Sequence, residues 1–410
     1  MDLVSKMKEY ASAKDVPIMQ DEGIEFMLDF IRTYDCTSIL EIGTAIGYSA
    51  IRMCECNDKI HVTTIERDEE RYKEAVSNVR EAGLEERITL IFGDALETEI
   101  TGSYDFIFID AAKAQYQKFF ERYSPLLTQN GYVFTDNLGF HGLVAHPELA
   151  QSRSVRALVR KIGNYVDWLK NNEEYVTHFM ELGDGVAITQ RKCLDIKGMI
   201  FDMDGLLIDT EPVSKRSWSS ASKILGVDLP EDFHAMILGK NHTLIGDIYN
   251  SVTDGRVSYE DFVVTFMSEV EKYHTEHGTA PMKGAIEILE YCKEKGIKVI
   301  VATSTYQERA KLQLTRAGLI DYFDRIVSGD MVKRSKPNPD IFLKAVELLG
   351  LDKKDCMVFE DSNAGVEAAI RGGIRVSMVP DMAVANELSS QRAFKLFDSL
   401  SDATEYFRGV

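Results

Sequence analysis

The chain has 410 residues, 45% hydrophobic and 28% charged, with 47 basic against 66 acidic side chains and a net charge of −19. That composition excludes a wholly disordered chain, and at about 150 residues per domain it predicts two or three domains. No apolar run approaches the roughly 18 residues of a membrane helix, so no membrane partner is expected, and the acidity argues against DNA as a partner.

Short apolar runs at 37–42, 61–65, 88–91, 105–110 and 131–136 alternate with amphipathic, helix-length segments. Strands spaced in this way predict an α/β fold with a parallel sheet and crossover helices. A last strand is expected within 183–192, after which the pattern restarts. The run at 197–205 opens a second series, continued at 298–304, 325–330, 356–361 and 374–379, and a largely helical stretch over 211–280 interrupts it. The predicted fold class is two doubly wound, Rossmann-like α/β domains, the second with a helical insertion. The boundary is set at 193/194, where no Gly/Ser-rich linker occurs, and there is no internal repeat. The opening fifteen residues have no apolar segment of the signal-peptide kind, and the six cysteines lack CxxC spacing. A reducing, cytoplasmic location is therefore expected, with neither a zinc site nor a disulfide framework.

The first chemistry-bearing set begins at Glu41-Ile-Gly43-Thr-Ala-Ile-Gly47-Tyr-Ser49, which follows a strand and opens a helix. Glycines there let the backbone turn tightly against a ligand at a helix N-terminus. Glu66 ends the next strand, where a carboxylate can accept ribose hydroxyls, and Gly93-Asp94-Ala95 ends a third. Asp110 and Asp136-Asn137 close two further strands. Two carboxylates and an amide oxygen are hard ligands suited to Mg²⁺ with positions open for substrate. Simple helix capping by the two aspartates is the alternative.

The whole set resembles the class I S-adenosylmethionine-dependent O-methyltransferases of the catechol and caffeoyl-CoA type, over about residues 15–192. The resemblance rests on E-I-G-x-x-x-G-Y-S, on Glu66, on D-A-A-K-x-x-Y at 110–116 and on D-N at 136–137. It implies S-adenosylmethionine held by Glu41, Gly43, Gly47, Ser49, Glu66, Asp94, Ala95 and Asp110. It also implies Mg²⁺ held by Asp110, Asp136 and Asn137, with Lys113 as general base and a homodimer formed through this domain. A metal with two open positions favours an acceptor with two adjacent oxygens, as in a catechol or a 5-hydroxyuridine.

The segment His141-Gly-Leu-Val-Ala-His146-Pro, followed by Arg153, Arg156, Arg160, Lys161 and Asn164-Tyr165, resembles the bacterial tRNA 5-hydroxyuridine methyltransferases that modify wobble position 34. The three arginines fall at i, i+3 and i+7 on one helix face, with Lys161 beside them, and such a stripe can neutralise phosphates. A solvated face paired to acids, and ordinary loop histidines, are the alternatives. Divided at residue 193, both halves of the chain are acidic, so tRNA binding must be local to this stripe and sensitive to salt.

The second set starts at Asp202-Met-Asp204-Gly205, at the end of an apolar strand. Of two carboxylates so placed, one can attack phosphorus while the other protonates the leaving oxygen and then activates water. Thr303, Lys336 and Glu360-Asp361 follow in order at or near strand ends, supplying a hydroxyl, a cation and further acids for Mg²⁺. The motifs F-D-M-D-G-L-L-I-D-T-E, A-T-S-T, S-K-P-x-P-D-I-F and E-D-S-x-A-G resemble the haloacid dehalogenase-like phosphatases of subfamily I, near β-phosphoglucomutase, over about 196–405. The resemblance implies Asp202 as nucleophile, Asp204 as acid/base and Lys336 as charge clamp, with Thr303 and Ser304 on the phosphate. Asp202, Asp204, Glu360 and Asp361 would surround Mg²⁺. The core would comprise 194–211 and 281–410, and 212–280 would form a helical cap in which Lys240 and Asn241 read the substrate. Ser214 stands where the mutases carry a histidine, which favours a phosphatase over a mutase.

The expectation is a bifunctional enzyme that methylates 5-hydroxyuridine in tRNA and hydrolyses a small phosphorylated metabolite. Its rivals are a small catechol-type methyl acceptor, and a C-terminal half acting only as an RNA- or partner-binding module.

Overall fold

A computed structural model describes residues 2–237, 242–381 and 383–409. The chain divides into two compact units, residues 1–195 and 196–410. In the first, β1 (Ser38–Ile42), β2 (His61–Glu66), β3 (Ile88–Phe92), β4 (Tyr104–Ile109), β5 (Leu127–Thr135), β6 (Tyr175–Met180) and β7 (Val186–Arg191) form one sheet in the order β3-β2-β1-β4-β5-β7-β6. The strands from β1 to β5 pair in parallel, whereas β7 is antiparallel to both β5 and β6. The central strands are buried on both faces, which is why they read as continuous apolar runs. Phe106, Phe108, Phe134 and Tyr132 fill one face together with Phe30. Ile107, Ile109, Tyr116, Phe120 and Tyr165 fill the other.

The antiparallel β6 is absent from the sequence reading. Only its ends, Tyr175 and Met180, are buried, so it shows neither an apolar run nor an alternating pattern. The helix Arg153–Lys170 starts at Ser152, whose hydroxyl accepts from the Val155 amide, and it buries Val159, Ile162, Tyr165 and Leu169. Docking that stripe on the sheet turns Arg153, Arg156, Arg160 and Lys161 outward.

In the second unit β8 (Gly198–Phe201), β9 (Lys298–Ala302), β10 (Ile326–Val327), β11 (Cys356–Glu360) and β12 (Arg375–Met378) form a parallel sheet in the order β10-β9-β8-β11-β12. Between β8 and β9 the chain runs through the helices Glu211–Leu225, Phe233–Ile237, His242–Val252 and Tyr259–His277. They have a core of their own in which Trp218 stacks on Phe262 beside Phe233 and Tyr249. Among the described residues, no helix is long and apolar enough to cross a membrane.

Both sheets reverse strand order around a central strand. β1 lies between β2 and β4, and β8 lies between β9 and β11. Ligands of open α/β sheets gather at the carboxyl ends of strands flanking such a reversal. Phe134 is fully buried within about 6 Å, centroid to centroid, of Phe106 and Phe108. Phe134→Ala is expected to destabilise the N-terminal unit by about 3–5 kcal/mol, read from the chemical-denaturation midpoint.

Candidate functional site

At the carboxyl end of β1, Glu41 is fully buried, accepting from the Ser49 hydroxyl and from Thr64 Oγ1 at 2.5 Å. Burial pushes its carboxyl up to about 7. Gly43 follows with φ of +107°, and a Cβ there would lie 2.2 Å from the Asp110 carbonyl oxygen. Only glycine allows this turn to press against the end of β4. Glu66 fixes the same turn, accepting from the amides of Ala45, Arg67 and Asp68 at 2.8–2.9 Å. Asp94 accepts from the Leu96 amide at 2.8 Å.

A cavity of about 540 Å³ is lined by Gly43, Ser49, Glu66, Asp94, Ala95 and Asp110, among others. Lys113 and Leu158 of the arginine-bearing helix also reach it. Glu41 lies behind the wall and touches the cavity through Ser49. Gly47 caps the helix Tyr48–Glu55 with φ of +84°.

Asp110 and Asp136 close β4 and β5, and Asn137 joins them: its Nδ2 lies 2.8 Å from Asp136 Oδ2 and 3.4 Å from Asp110 Oδ1. Burial pushes Asp136 up to about 7, helped by the neighbouring Asp110, and burial raises Asp110 against the opposing pull of Lys113. Tyr116 donates its hydroxyl to the Asp136 carbonyl at 2.9 Å, tying the end of β5 to the helix Tyr116–Tyr123. The buried Asp136 and half-buried Asp110 carboxylates, adjoining a cavity, fit the oxygen-donor preference of Mg²⁺, and Asn137, whose amide nitrogen now faces them, would turn its oxygen inward to join them.

Asp184 belongs to this site, yet sequence reasoning passed over it. Its side chain is buried and accepts from the His141 amide, while its carbonyl accepts from the Gly139 amide at 2.5 Å. The loop it holds carries Asn137, Phe140 and His141, all at positive φ. The signal available was Gly183-Asp184-Gly185 before the last strand, which reads as an ordinary turn. The His141 ring is exposed, with Nδ1 3.9 Å from Asp184 Oδ2, and His146 pairs with Glu148 at 3.3 Å. Among the described residues Arg153, Arg160 and Lys161 make no ion pair, while Arg156 donates to the Ala150 carbonyl at 3.1 Å.

In the second unit Asp202 follows β8, Thr303 follows β9 and Glu360 ends β11. Lys336 bonds Asp202 and lies 2.5 Å from Glu360 Oε1, with all three side chains nearly inaccessible. Burial pushes Asp202 up to about 7 against the pull of Lys336. Glu360 Oε2 accepts from the Ser362 amide and hydroxyl at 2.9 and 2.8 Å. Oxygens of Asp202, Glu360 and Asp361 lie within 4.8 Å of one another, a spacing that one cation can bridge. Burial, with Glu360 and Asp202 nearby, pushes Asp361 well above the usual carboxylate range.

Asp204 Oδ2 accepts from Thr305 Oγ1 at 2.8 Å and from Thr303 Oγ1 at 3.3 Å, whereas Ser304 is exposed. Thr305 is therefore a hydroxyl that motif reading did not single out. A cavity of about 340 Å³ connects Asp204 and Ser214 to Trp218, Tyr259 and Phe266 of the helical insertion. Lys240 and Asn241 lie outside the described residues.

Acidic clusters at the carboxyl ends of central strands, one beside an open cavity and one beneath a helical insertion, define a two-domain α/β enzyme. Comparison with known proteins names the two parts. The family model for O-methyltransferases matches residues 2–192, and that for haloacid dehalogenase-like hydrolases matches 199–379. A solved Staphylococcus aureus protein, provisionally assigned as a caffeoyl-CoA O-methyltransferase, is 41% identical; the match covers 47% of this chain and 93% of that one, with a TM-score of 0.45. The phosphorylated carbohydrates phosphatase of Thermotoga maritima is 37% identical over 179 residues, 44% of this chain and 82% of that protein. Hexitol phosphatase A of Escherichia coli is 33% identical over 184 residues, 45% of this chain and 82% of that protein. The chain belongs to the haloacid dehalogenase-like hydrolases through its C-terminal unit, a phosphatase-type domain, fused to an O-methyltransferase domain.

The raised Asp136 carboxyl has a consequence for stability. A carboxyl whose folded pKa lies above its unfolded value of about 3.9 stabilises the fold below that pH, and the contribution is lost as pH rises through about 7. In chelator, Asp136→Asn is expected to raise the melting temperature at pH 8 and leave it nearly unchanged at pH 4. Thermal unfolding at the two pH values checks this.

Proposed function

We propose that the N-terminal unit transfers a methyl group from S-adenosylmethionine to the 5-hydroxyl of 5-hydroxyuridine at wobble position 34 of tRNA. The observation that carries the reading is the convergence of Asp110, Asp136 and Asn137 beside a cavity that Gly43, Ser49, Glu66 and Asp94 also line. Mg²⁺ held by Asp110, Asp136 and Asn137 would supply a Lewis acid that favours the acceptor's oxyanion. Glu66 and Asp94 hold the donor's hydroxyl and amino groups, and Lys113 takes the acceptor's proton. The arginine stripe favours tRNA over a small catechol, because Arg153, Arg160 and Lys161 lie free of carboxylates near the cavity wall at Leu158. Labelled methyl from S-adenosylmethionine is expected in 5-methoxyuridine after digestion of tRNA bearing 5-hydroxyuridine. Asp110→Ala is expected to lower that transfer at least about 10²-fold and to leave phosphatase turnover at the wild-type level. Label in a catechol but none in the nucleosides overturns the tRNA assignment.

We infer that the C-terminal unit hydrolyses small phosphomonoesters, with phosphorylated sugars or polyols favoured by what its relatives are named for. Asp202 attacks phosphorus and Asp204 protonates the leaving oxygen. Asp204 then takes a proton from the water that hydrolyses the aspartyl phosphate. Lys336 balances the charge, and Mg²⁺ among Asp202, Glu360 and Asp361 would neutralise the phosphoryl oxygens. The carrying observation is the burial of Lys336 between Asp202 and Glu360. Asp202→Asn is expected to lower p-nitrophenyl phosphate turnover by about 10³-fold or more without changing methyl transfer. Equal turnover in mutant and wild type favours a binding module.

A further inference from the structure

A second cavity of about 430 Å³ adjoins the first in the N-terminal unit, and Lys113, Ala114 and Gln115 line both. Its walls come from the turn at 113–115, the helix Tyr116–Tyr123 and the helix Arg153–Lys170. Three lysines line it: Lys113, Lys118 and Lys161. Lys118 and Lys161 are exposed and make no ion pair or hydrogen bond among the described residues. Glu121 also lines the groove, its carboxylate accepting from Gln117 Nε2 at 2.8 Å, and Asn164 adds a further amide.

In a chain of net charge −19, a groove lined by three lysines and one acid is a local inversion of sign. Lone exposed lysines are commonplace, but here they line a concave surface that meets the cavity bearing Asp110. Beyond Lys161, Arg160 and Arg153 extend the positive charge along the same helix, so the cations form a track rather than a single anion pocket. A linear polyanion matches a track, and an unstacked base at its edge can enter the neighbouring cavity.

We propose that this lysine groove is the subsite for the phosphodiester next to the methyl-accepting nucleotide of an RNA loop. Lys118 and Lys161 grip the backbone, and the base swings past Lys113 toward Asp110. The proposal rests on the tRNA reading above and adds to it a residue, Lys118, outside the arginine stripe.

The test uses the full chain, an RNA hairpin carrying 5-hydroxyuridine in its loop, and free 5-hydroxyuridine as a phosphate-free acceptor. Lys118→Glu is expected to weaken hairpin binding about fivefold or more and to flatten the slope of log K against log salt by about 0.7, the value for one phosphate contact on a single strand. S-adenosylmethionine affinity and methylation of the free nucleoside should stay at wild-type values, and Lys118→Arg should retain hairpin binding. Wild-type hairpin affinity and salt slope in the glutamate variant, with the hairpin still methylated, overturn the groove alone. A hairpin that the wild-type protein does not methylate overturns the tRNA reading and the groove with it. Equal losses for hairpin and free nucleoside show a disturbed active site and also overturn the subsite.

Discussion

Carboxylates crowded at the carboxyl ends of buried parallel strands are the constraint on which both units turn. A doubly wound sheet delivers its strand ends to one edge, and a reversal of strand order opens a crevice there. The price is electrostatic: like charges meet where solvent is scarce. Burial pushes Glu41, Asp136 and Asp202 to about 7, and each is held by a different device. Glu41 is spanned by two hydroxyls, Asp136 by the amide of Asn137, and Asp202 by the ammonium of Lys336. Such arrangements are costly in a fold and occur where charge must be present for chemistry.

The devices differ in what they leave available. Lys336 is a fixed counter-charge, so the second unit carries its own cation whether or not a metal joins Asp361. In the first unit a neutral amide bridges Asp110 and Asp136, and Lys113 pulls on both without pairing with either, so less counter-charge is fixed there. That contrast fits the two chemistries. A phosphoryl group must be drawn into a site of carboxylates, whereas a neutral hydroxyl needs only to be made acidic.

Much of this was legible in the sequence because buried parallel strands announce themselves as apolar runs ending in acids. The runs before Glu41, Glu66, Asp110, Asp136, Asp202, Thr303 and Glu360 became strands that end at or beside those residues. β6 was missed because its middle is half exposed and carries no period. Asp184 was missed because its part is played through a loop more than forty residues earlier in the chain, a relation no local pattern encodes. Thr305 was hidden by its neighbour, since A-T-S-T offers three hydroxyls and only the fold shows that two reach Asp204. Lys118 lies on a helix whose own pattern is ordinary, and its meaning comes from Lys161 across the groove.

The loop after Asn137 and the turn at 183–185 meet backbone to backbone. A Cβ on Gly139 would stand 2.8 Å from the Asp184 carbonyl oxygen, and one on Gly185 would stand 2.8 Å from the Gly139 amide nitrogen. The two segments thus behave as a single rivet through which the loop after Asn137 is joined to the last strand. Its consequence is evolutionary. Drift is barred at the rivet itself and channelled outward, to exposed positions such as His141 and the helix of the arginine stripe, where side chains can change without moving Asp136 and Asn137.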